Sequence, residues 1–454
     1  MTAPPSLNRP PWLMAGLFAT IVTLLVALPV WPGFFSYDSL LAWEQAVHGV
    51  RIGLWPPLHT YLFQVSQGAG AGPGGLLAAQ VFLLVMGAVV VIRMLAPSRT
   101  VGWLLVLLFV GALVWFPTLL GALIVQWRDV PTASFAVLAL ALALAGARSR
   151  SGVLVALAVL VACLSVGLRY NALLLVAPLM ALLVWRPFLG DRAGPGVRAL
   201  VGVVLAAGLG LAWASTQWRL PDGMALPNPG NFGGTQLFDV IGVSACSGRV
   251  FVPAAVTRGQ SVSVAQLRQA YDPRHLHHTL APRPGAPVLV ETDGGGAVAD
   301  AWRQAVAGEP VCYLEHRAAV FAEQMGMMKT GVFYPTHGGI DPNGLGLALA
   351  RPDQAEQVRT YVVRNADDAW RRPWLIYVAA ILLSGLAVMR DRRLAPVFGA
   401  MTAGAVAYAG ILFLVAPAAD ARYIFPSNIL ALLVGLAALG VLASPVATAT
   451  KGAR

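Results

Sequence analysis

The chain has 454 residues, of which 57% are hydrophobic and 11% charged, with a mean hydropathy of +0.70. Soluble globular proteins carry about 25% charged residues, so this composition excludes an ordinary soluble enzyme and points to a polytopic membrane protein. The net charge of +11 does not indicate nucleic-acid binding, because the basic residues fall between apolar segments, as membrane orientation requires.

After a short tail holding Arg9, the apolar run at 12–31 reads as a retained signal anchor, with no A-x-A cleavage site. Nine further runs that suit membrane spans lie near 75–96, 101–118, 130–147, 151–168, 171–187, 197–215, 373–389, 395–416 and 424–443. With the N-terminus inside, the inner connections hold 13 basic residues: Arg9, Arg93, Arg99, Arg148, Arg150, Arg186, Arg192, Arg198, Arg390, Arg392, Arg393, Lys451 and Arg454. The short outer loops hold four, Arg51, Arg128, Arg169 and Arg422. This bias predicts a multi-pass protein of the cytoplasmic (inner) membrane with both termini cytoplasmic.

The apolar pattern breaks at 216–372. This stretch opens rich in Pro, Gly and Asn (Leu226 to Gly234) and then shows helical patterns near 261–271, 298–307, 311–328 and 353–368. It is long enough to fold as a small domain. The expected architecture is therefore an all-α membrane protein of about ten transmembrane helices, with a mixed extracytoplasmic domain inserted between late helices. Residues 1–215 form a module of about seven helices, 216–372 the outer domain, and 373–454 a module of about three. Cys246 and Cys312 lie in the outer stretch and can pair there if it is extracytoplasmic, a point the spacing leaves open. Cys163 lies inside an apolar run, and no cysteine or histidine spacing suits structural zinc.

Acidic residues invert the basic bias. The inner loops carry Asp191 and Asp391, whereas the short outer loops carry Asp38, Glu44, Asp129 and Asp420. Charged groups near membrane depth are costly and tend to be paired or functional, so this concentration points to a site at the outer leaflet. In the first outer loop, 32–74, Leu40, Trp43 and Val47 share one helical face, predicting a helix lying in the interface. Asp38 at its start can cap that helix or carry chemistry. Trp55-Pro56-Pro57-Leu58-His59 opens a second short helix.

Three later outer turns each hold an arginine: Trp127-Arg128-Asp129, Arg169-Tyr170-Asn171 and Asp420-Ala421-Arg422-Tyr423. Guanidinium groups bind phosphate bidentately and keep their charge, so convergence of the three would suit an anionic ligand. In the outer domain, Arg317 opens an amphipathic helix, and His275-Leu276-His277-His278 reads as a solvated loop. No GxGxxG, P-loop, HExxH or GxSxG occurs.

The order of these tokens resembles the GT-C superfamily of membrane glycosyltransferases. They are Tyr37-Asp38-Ser39, the Trp55–His59 run and the three arginine turns, and they span nearly the whole chain. The departures are a single Asp38 followed by Ser39, where the family has a paired acid motif, and an outer domain placed between helices instead of at the C-terminus. The resemblance implies a sugar donor on a polyprenyl phosphate and a cell-envelope acceptor, with the chain embedded in the lipid bilayer. Asp38 would be the base and the transfer would invert the anomeric carbon. Arg422, Arg169 and Arg128 would hold the donor phosphate. Asp129, Glu44, His59, Tyr423, Asn171 and Arg317 would bind or orient substrates, and a divalent cation (Mg or Mn), if used, would sit on Asp38 and Asp129. The rival expectations are a transporter or flippase of a lipid-linked anionic substrate, and an assembly protein whose outer domain binds a partner.

Overall fold

The computed structural model describes residues 8–49, 56–184, 194–216, 231–292 and 296–444. Arg51, Trp55, Arg186, Asp191, Arg192, residues 226–230 of the Pro/Gly-rich stretch, Lys451 and Arg454 lie outside the described residues. Each apolar run forms a helix: α1 (Trp12–Ala27), α4 (Gly72–Leu95), α5 (Arg99–Trp115), α7 (Asp129–Ser149), α8 (Gly152–Leu168), α9 (Ala172–Val184), α10 (Pro195–Thr216), α17 (Pro373–Arg390), α18 (Ala395–Val415) and α19 (Phe425–Leu442). The connection from α1 to α4 supplies α2 (Tyr37–His48) and α3 (Leu58–Gly68), and a short α6 (Pro117–Leu123) follows α5.

Among the described residues, seven helices are long and apolar enough to cross a membrane, or eight if α5 and α6 count as one span. The chain is thus a multi-pass membrane protein. The two neighbours α8 and α9, at 17 and 13 residues, are shorter than a typical span. The expected run at 101–118 ends at Trp115. There Phe116 is extended and Pro117 has no N–H to continue the ladder, so α6 leaves α5 at 85°.

The spans at α7 and α19 form the centre, 94% and 89% buried over their apolar windows. Helix α7 reads DVPTASFAVLALALALAGARS, and its small residues let α4 and α8 pack closely on either side. Gly87 of α4 shows how closely: a Cβ there would lie 3.1 Å from the backbone nitrogen of Leu138. At the periphery, α1 exposes Leu13, Leu17, Ile21 and Leu25, as suits a lipid-facing helix.

The polar segment is helical, not mixed. Among the described residues no strand forms; three isolated bridges join Phe34 with Val125, Phe35 with Ile340, and His275 with Ala418. Its helices are α11 (Asn231–Ser247), α12 (Val264–Ala270), α13 (Leu276–Leu280), α14 (Ala297–Gly308), α15 (Pro310–Gln324) and α16 (Pro352–Ala366). Leu237, Phe238, Ile241, Leu267, Leu276 and Val320 give it a core of its own. Helix α11 was not legible as one, because its start falls in the Pro/Gly-rich stretch. A disulfide between Cys246 and Cys312 joins the end of α11 to the start of α15.

Candidate active site

A small crossing of extended segments assembles the site. Phe34 N–H donates to Ile124 O (2.9 Å) and Gln126 N–H donates back to Phe34 O (2.9 Å). On the other side, Phe35 N–H donates to Gly339 O (2.8 Å) and Asp341 N–H donates to Phe35 O (3.0 Å). The start of α2, the turn before α7 and the 334–341 loop are thereby fixed side by side, although they are far apart in sequence. The Trp127 indole N–H adds a bond to Ser36 Oγ (2.9 Å), locking the first two together.

These segments wall a cavity of about 790 Å³, which Asp38, Arg128, Arg169, Asn171, Arg422 and Tyr423 all line. Arg422 is shared by two carboxylates: its Nη2 lies 3.0 Å from Asp38 Oδ2 and its Nε 3.2 Å from Asp420 Oδ2. Its guanidinium also covers the Trp127 ring at 4.9 Å and the Tyr423 ring at 5.1 Å. Arg169 pairs with Asp129 (Nε to Oδ1, 3.0 Å) and covers Tyr423 from 4.9 Å. Tyr423 thus carries two guanidinium contacts, an arrangement that fixes the spacing of the two cations.

Asp38 does not cap α2. Ser36 holds the cap position, and the Asp38 side chain, 34% exposed, turns into the cavity. Burial would raise its carboxyl, but Arg422, Arg128 and Arg169 outweigh burial and hold it below the usual carboxylate range. Burial and the neighbouring Arg169 push the Arg128 guanidinium down to about 10, against the pull of Asp38 and Asp129. Burial likewise opposes the charge on Arg169, yet Asp129 beside it lifts the group above its ordinary value. Asp420 is buried, and burial raises its carboxyl despite Arg422. The cavity wall is therefore rich in cations whose charge an incoming anion would stabilise.

The remaining expected residues divide. His59 is buried against Phe63, with ring centres 4.8 Å apart, and faces a side chamber of about 20 Å³ that Asp38, Arg128 and Arg422 also line. Burial and Arg128 lower it to about 3, so the ring is neutral. Asp129 lies beneath the cavity as the partner of Arg169. Glu44 does not reach the cavity; it stands on the exposed face of α2. Arg317 does not reach it either. It is fully buried in the polar segment, 2.6 Å from Asp239, with Nη1 donating to Ala416 O at 2.7 Å.

The cavity also gathers residues that the sequence did not single out, or set aside. His275, His277 and His278 line it instead of forming a solvated loop, because the His275–Ala418 bridge and the Ala419 N–H bond to Arg274 O (2.7 Å) clamp them to the turn between α18 and α19. Tyr334, His337 and Asp341 line it as well. Their run, YPTHGGID, has no helical or strand period, but a His and an Asp four apart in a polar turn was a usable signal.

For a divalent cation, Asp38 and Asp129 fit poorly, since each carboxylate already faces a guanidinium. The one cluster of three potential metal-ligand residues among the described residues is Cys246, Cys312 and Glu315, and its two sulfurs are bonded to each other.

Among solved structures, the chain is similar to ArnT from Cupriavidus metallidurans, whose crystal structure is bound to undecaprenyl phosphate. The identity is 15% and the TM-score 0.31, over 95% of this chain and 77% of that one. No family model and no curated protein matches the chain.

Proposed function

We propose that the chain is a membrane glycosyltransferase that moves a sugar from a polyprenyl-phosphate donor to an envelope acceptor on the outer face of the cytoplasmic membrane. One observation carries this reading: the Asp38 carboxylate and the guanidiniums of Arg128, Arg169 and Arg422, from four separate outer connections, line a single cavity. The excess of basic residues in the inner connections supports an outward-facing site.

The chemistry follows from charge. The acceptor oxygen bonds to the anomeric carbon as its proton passes to Asp38, and the carbon–oxygen bond to phosphate breaks, its electron pair leaving with the lipid phosphate. A single displacement of this kind inverts the anomeric centre. The leaving group goes from a phosphodiester with one negative charge to a monoester that approaches two. Guanidiniums fixed around it therefore bind the transition state better than the donor, which is what accelerates a reaction. They also supply the positive charge for which a metal would otherwise be needed. Phosphate binding at Arg422 draws that cation away from Asp38 and leaves the carboxylate more basic at the moment it acts.

The test uses the full-length chain in lipid nanodiscs. It is given radiolabelled undecaprenyl-phosphate hexoses and pentoses, together with envelope extract from a strain lacking the protein. Label should appear on an extract component with at least one donor. No transfer from any donor, combined with movement of the donor across proteoliposomes, would replace the enzyme with a transporter or flippase.

A further inference from the structure

Tyr334, His337 and Asp341 form a hydrogen-bonded chain in the cavity wall, on the same side as Arg422. The Tyr334 hydroxyl bonds to His337 Nδ1, and His337 Nε2 lies 2.9 Å from Asp341 Oδ1. All three side chains line the cavity. The direction of the chain is set by donor and acceptor counting. A carboxylate only accepts, so Nε2 must carry the ring proton. In the neutral ring Nδ1 is then bare, and the Tyr334 O–H must donate to it. The phenolic oxygen is left presenting lone pairs to the cavity, its one proton already committed.

The surroundings hold this oxygen in place. Tyr334 has φ +51°, an uncommon conformation for a bulky residue, and such strain persists only where neighbours impose it. Here Ala421 N–H donates to Phe333 O (3.3 Å) and Thr336 Oγ1 donates to Gly121 O (2.9 Å). Asp341 is tied to Phe35, three residues before Asp38. The Trp127 ring lies 5.8 Å from the Tyr334 ring and 4.9 Å from the Arg422 guanidinium, so the chain and the cation cluster share one wall.

Resting on the glycosyltransferase reading, we propose that Tyr334, oriented by His337 and Asp341, is the acceptor-specificity site. Its oxygen receives a hydrogen bond from a second hydroxyl of the acceptor while the reacting hydroxyl addresses Asp38. The acceptor class is accordingly a polyhydroxylated one, a saccharide or polyol, and not a lone alcohol. Tyr334 is a binding residue; His337 and Asp341 are positioning residues.

The experiment takes the donor that supports transfer in the nanodisc assay, with the envelope extract as acceptor. It compares Tyr334→Phe, Asp341→Asn and the double variant. Tyr334→Phe deletes the accepting oxygen. Asp341→Asn replaces a carboxylate that only accepts, and so fixes the ring proton on Nε2, by an amide that can accept or donate, so the ring tautomer and the direction of the Tyr334 O–H are no longer fixed. Each single change should raise the acceptor concentration for half-maximal rate about three- to tenfold, the effect of one neutral hydrogen bond. The donor KM should stay unchanged. The double variant should be no worse than either single one, because both remove the same bond. An unchanged acceptor requirement in Tyr334→Phe, a shifted donor KM or additive losses would overturn the assignment. Should Asp341→Asn fail to fold, His337→Gln with Tyr334→Phe gives the same comparison. Wild-type protein that transfers nothing from any donor refutes the glycosyltransferase reading itself, and the acceptor site falls with it.

Discussion

Arg422 Nη2 lies 3.0 Å from Asp38 Oδ2, joining the start of α2 to the turn before α19, while the same guanidinium holds Asp420 at 3.2 Å through Nε. A cation between two carboxylates is satisfied at rest, and an anion that claims it leaves both acids less well compensated. Both acids stand at the cavity wall, but Asp420 is 3% exposed and the Asp38 side chain 34%, so Asp38 is the more accessible of the two to a substrate proton.

Replacing Asp38 by asparagine keeps the shape and removes the proton acceptor. The expected result is a fall in turnover of about 10²- to 10⁴-fold, with expression and undecaprenyl phosphate binding preserved or tightened, since Arg422 loses a competitor. Turnover within a factor of about ten of wild type would remove Asp38 from the role of base.

Arg422→Lys and Arg422→Ala separate charge from geometry. Lysine keeps a point charge but loses the planar fork, so undecaprenyl phosphate binding should weaken about tenfold. Alanine leaves Asp420 buried without a cation, and removing one partner of a buried pair costs about 3 to 5 kcal/mol. That variant should therefore lose thermal stability as well as binding. Equal binding in wild type and Arg422→Lys would argue that the fork is not used.

Much of this was readable beforehand, and the reason is physical. A membrane imposes about 20 apolar residues per span and leaves charge only at the turns. The helices and the arginines at 128, 169 and 422 therefore stand out one by one. Tyr334, His337 and Asp341 do not, because they act through a loop held by bonds to Phe35 and Gly121, which no local period announces. Arg317 misled for the opposite reason: its amphipathic helix was legible, but the partner that buries it, Asp239, lies on α11, a helix that was not.

The Tyr334 chain predicts a pH signature. Burial, helped by Arg422, lowers His337 below its ordinary value of 6.5, against the raising influence of Asp341 and Asp38. A depressed histidine is neutral above that ordinary value, and its contribution is lost only as pH falls through the lower folded value. Once protonated, Nδ1 carries a hydrogen and Tyr334 can no longer donate to it. The acceptor concentration for half-maximal rate should be flat above pH 6.5 and rise in acid. Asp38 is held below the usual carboxylate range in the free protein, so the loss of acceptor binding should set in at higher pH than any loss of rate at saturating acceptor. Rate measurements from about pH 5 to about pH 9 decide it: parallel loss of both parameters would contradict the assignment.

The bridge between Cys246 and Cys312 joins residues at a sequence separation of 66. Closing a loop of that size restricts the unfolded chain enough to contribute about 4 kcal/mol. In protein purified without reductant, a maleimide should reach neither cysteine, and labelling after reduction should modify both. Replacing both with serine should lower the unfolding temperature of the polar segment without changing donor binding. Labelling of either cysteine before reduction would show that the bridge is not formed.

Arg317 offers the sharpest contrast between a residue that builds the site and one that serves the substrate. Its Nη2 meets Asp239 at 2.6 Å, and Asp239 also receives the Trp302 indole N–H at 2.7 Å and faces His316 at 3.1 Å. Through Nη1 the same guanidinium holds Ala416 O, two residues before the Ala418 that lines the cavity. Arg317→Met leaves a buried aspartate short of its cation, which costs about 3 to 5 kcal/mol and should lower the unfolding temperature by about 10 °C. Because Arg317 never faces the cavity, the folded fraction at low temperature should keep wild-type KM values for donor and acceptor. A variant that stays fully stable but loses donor affinity would instead put Arg317 on the substrate.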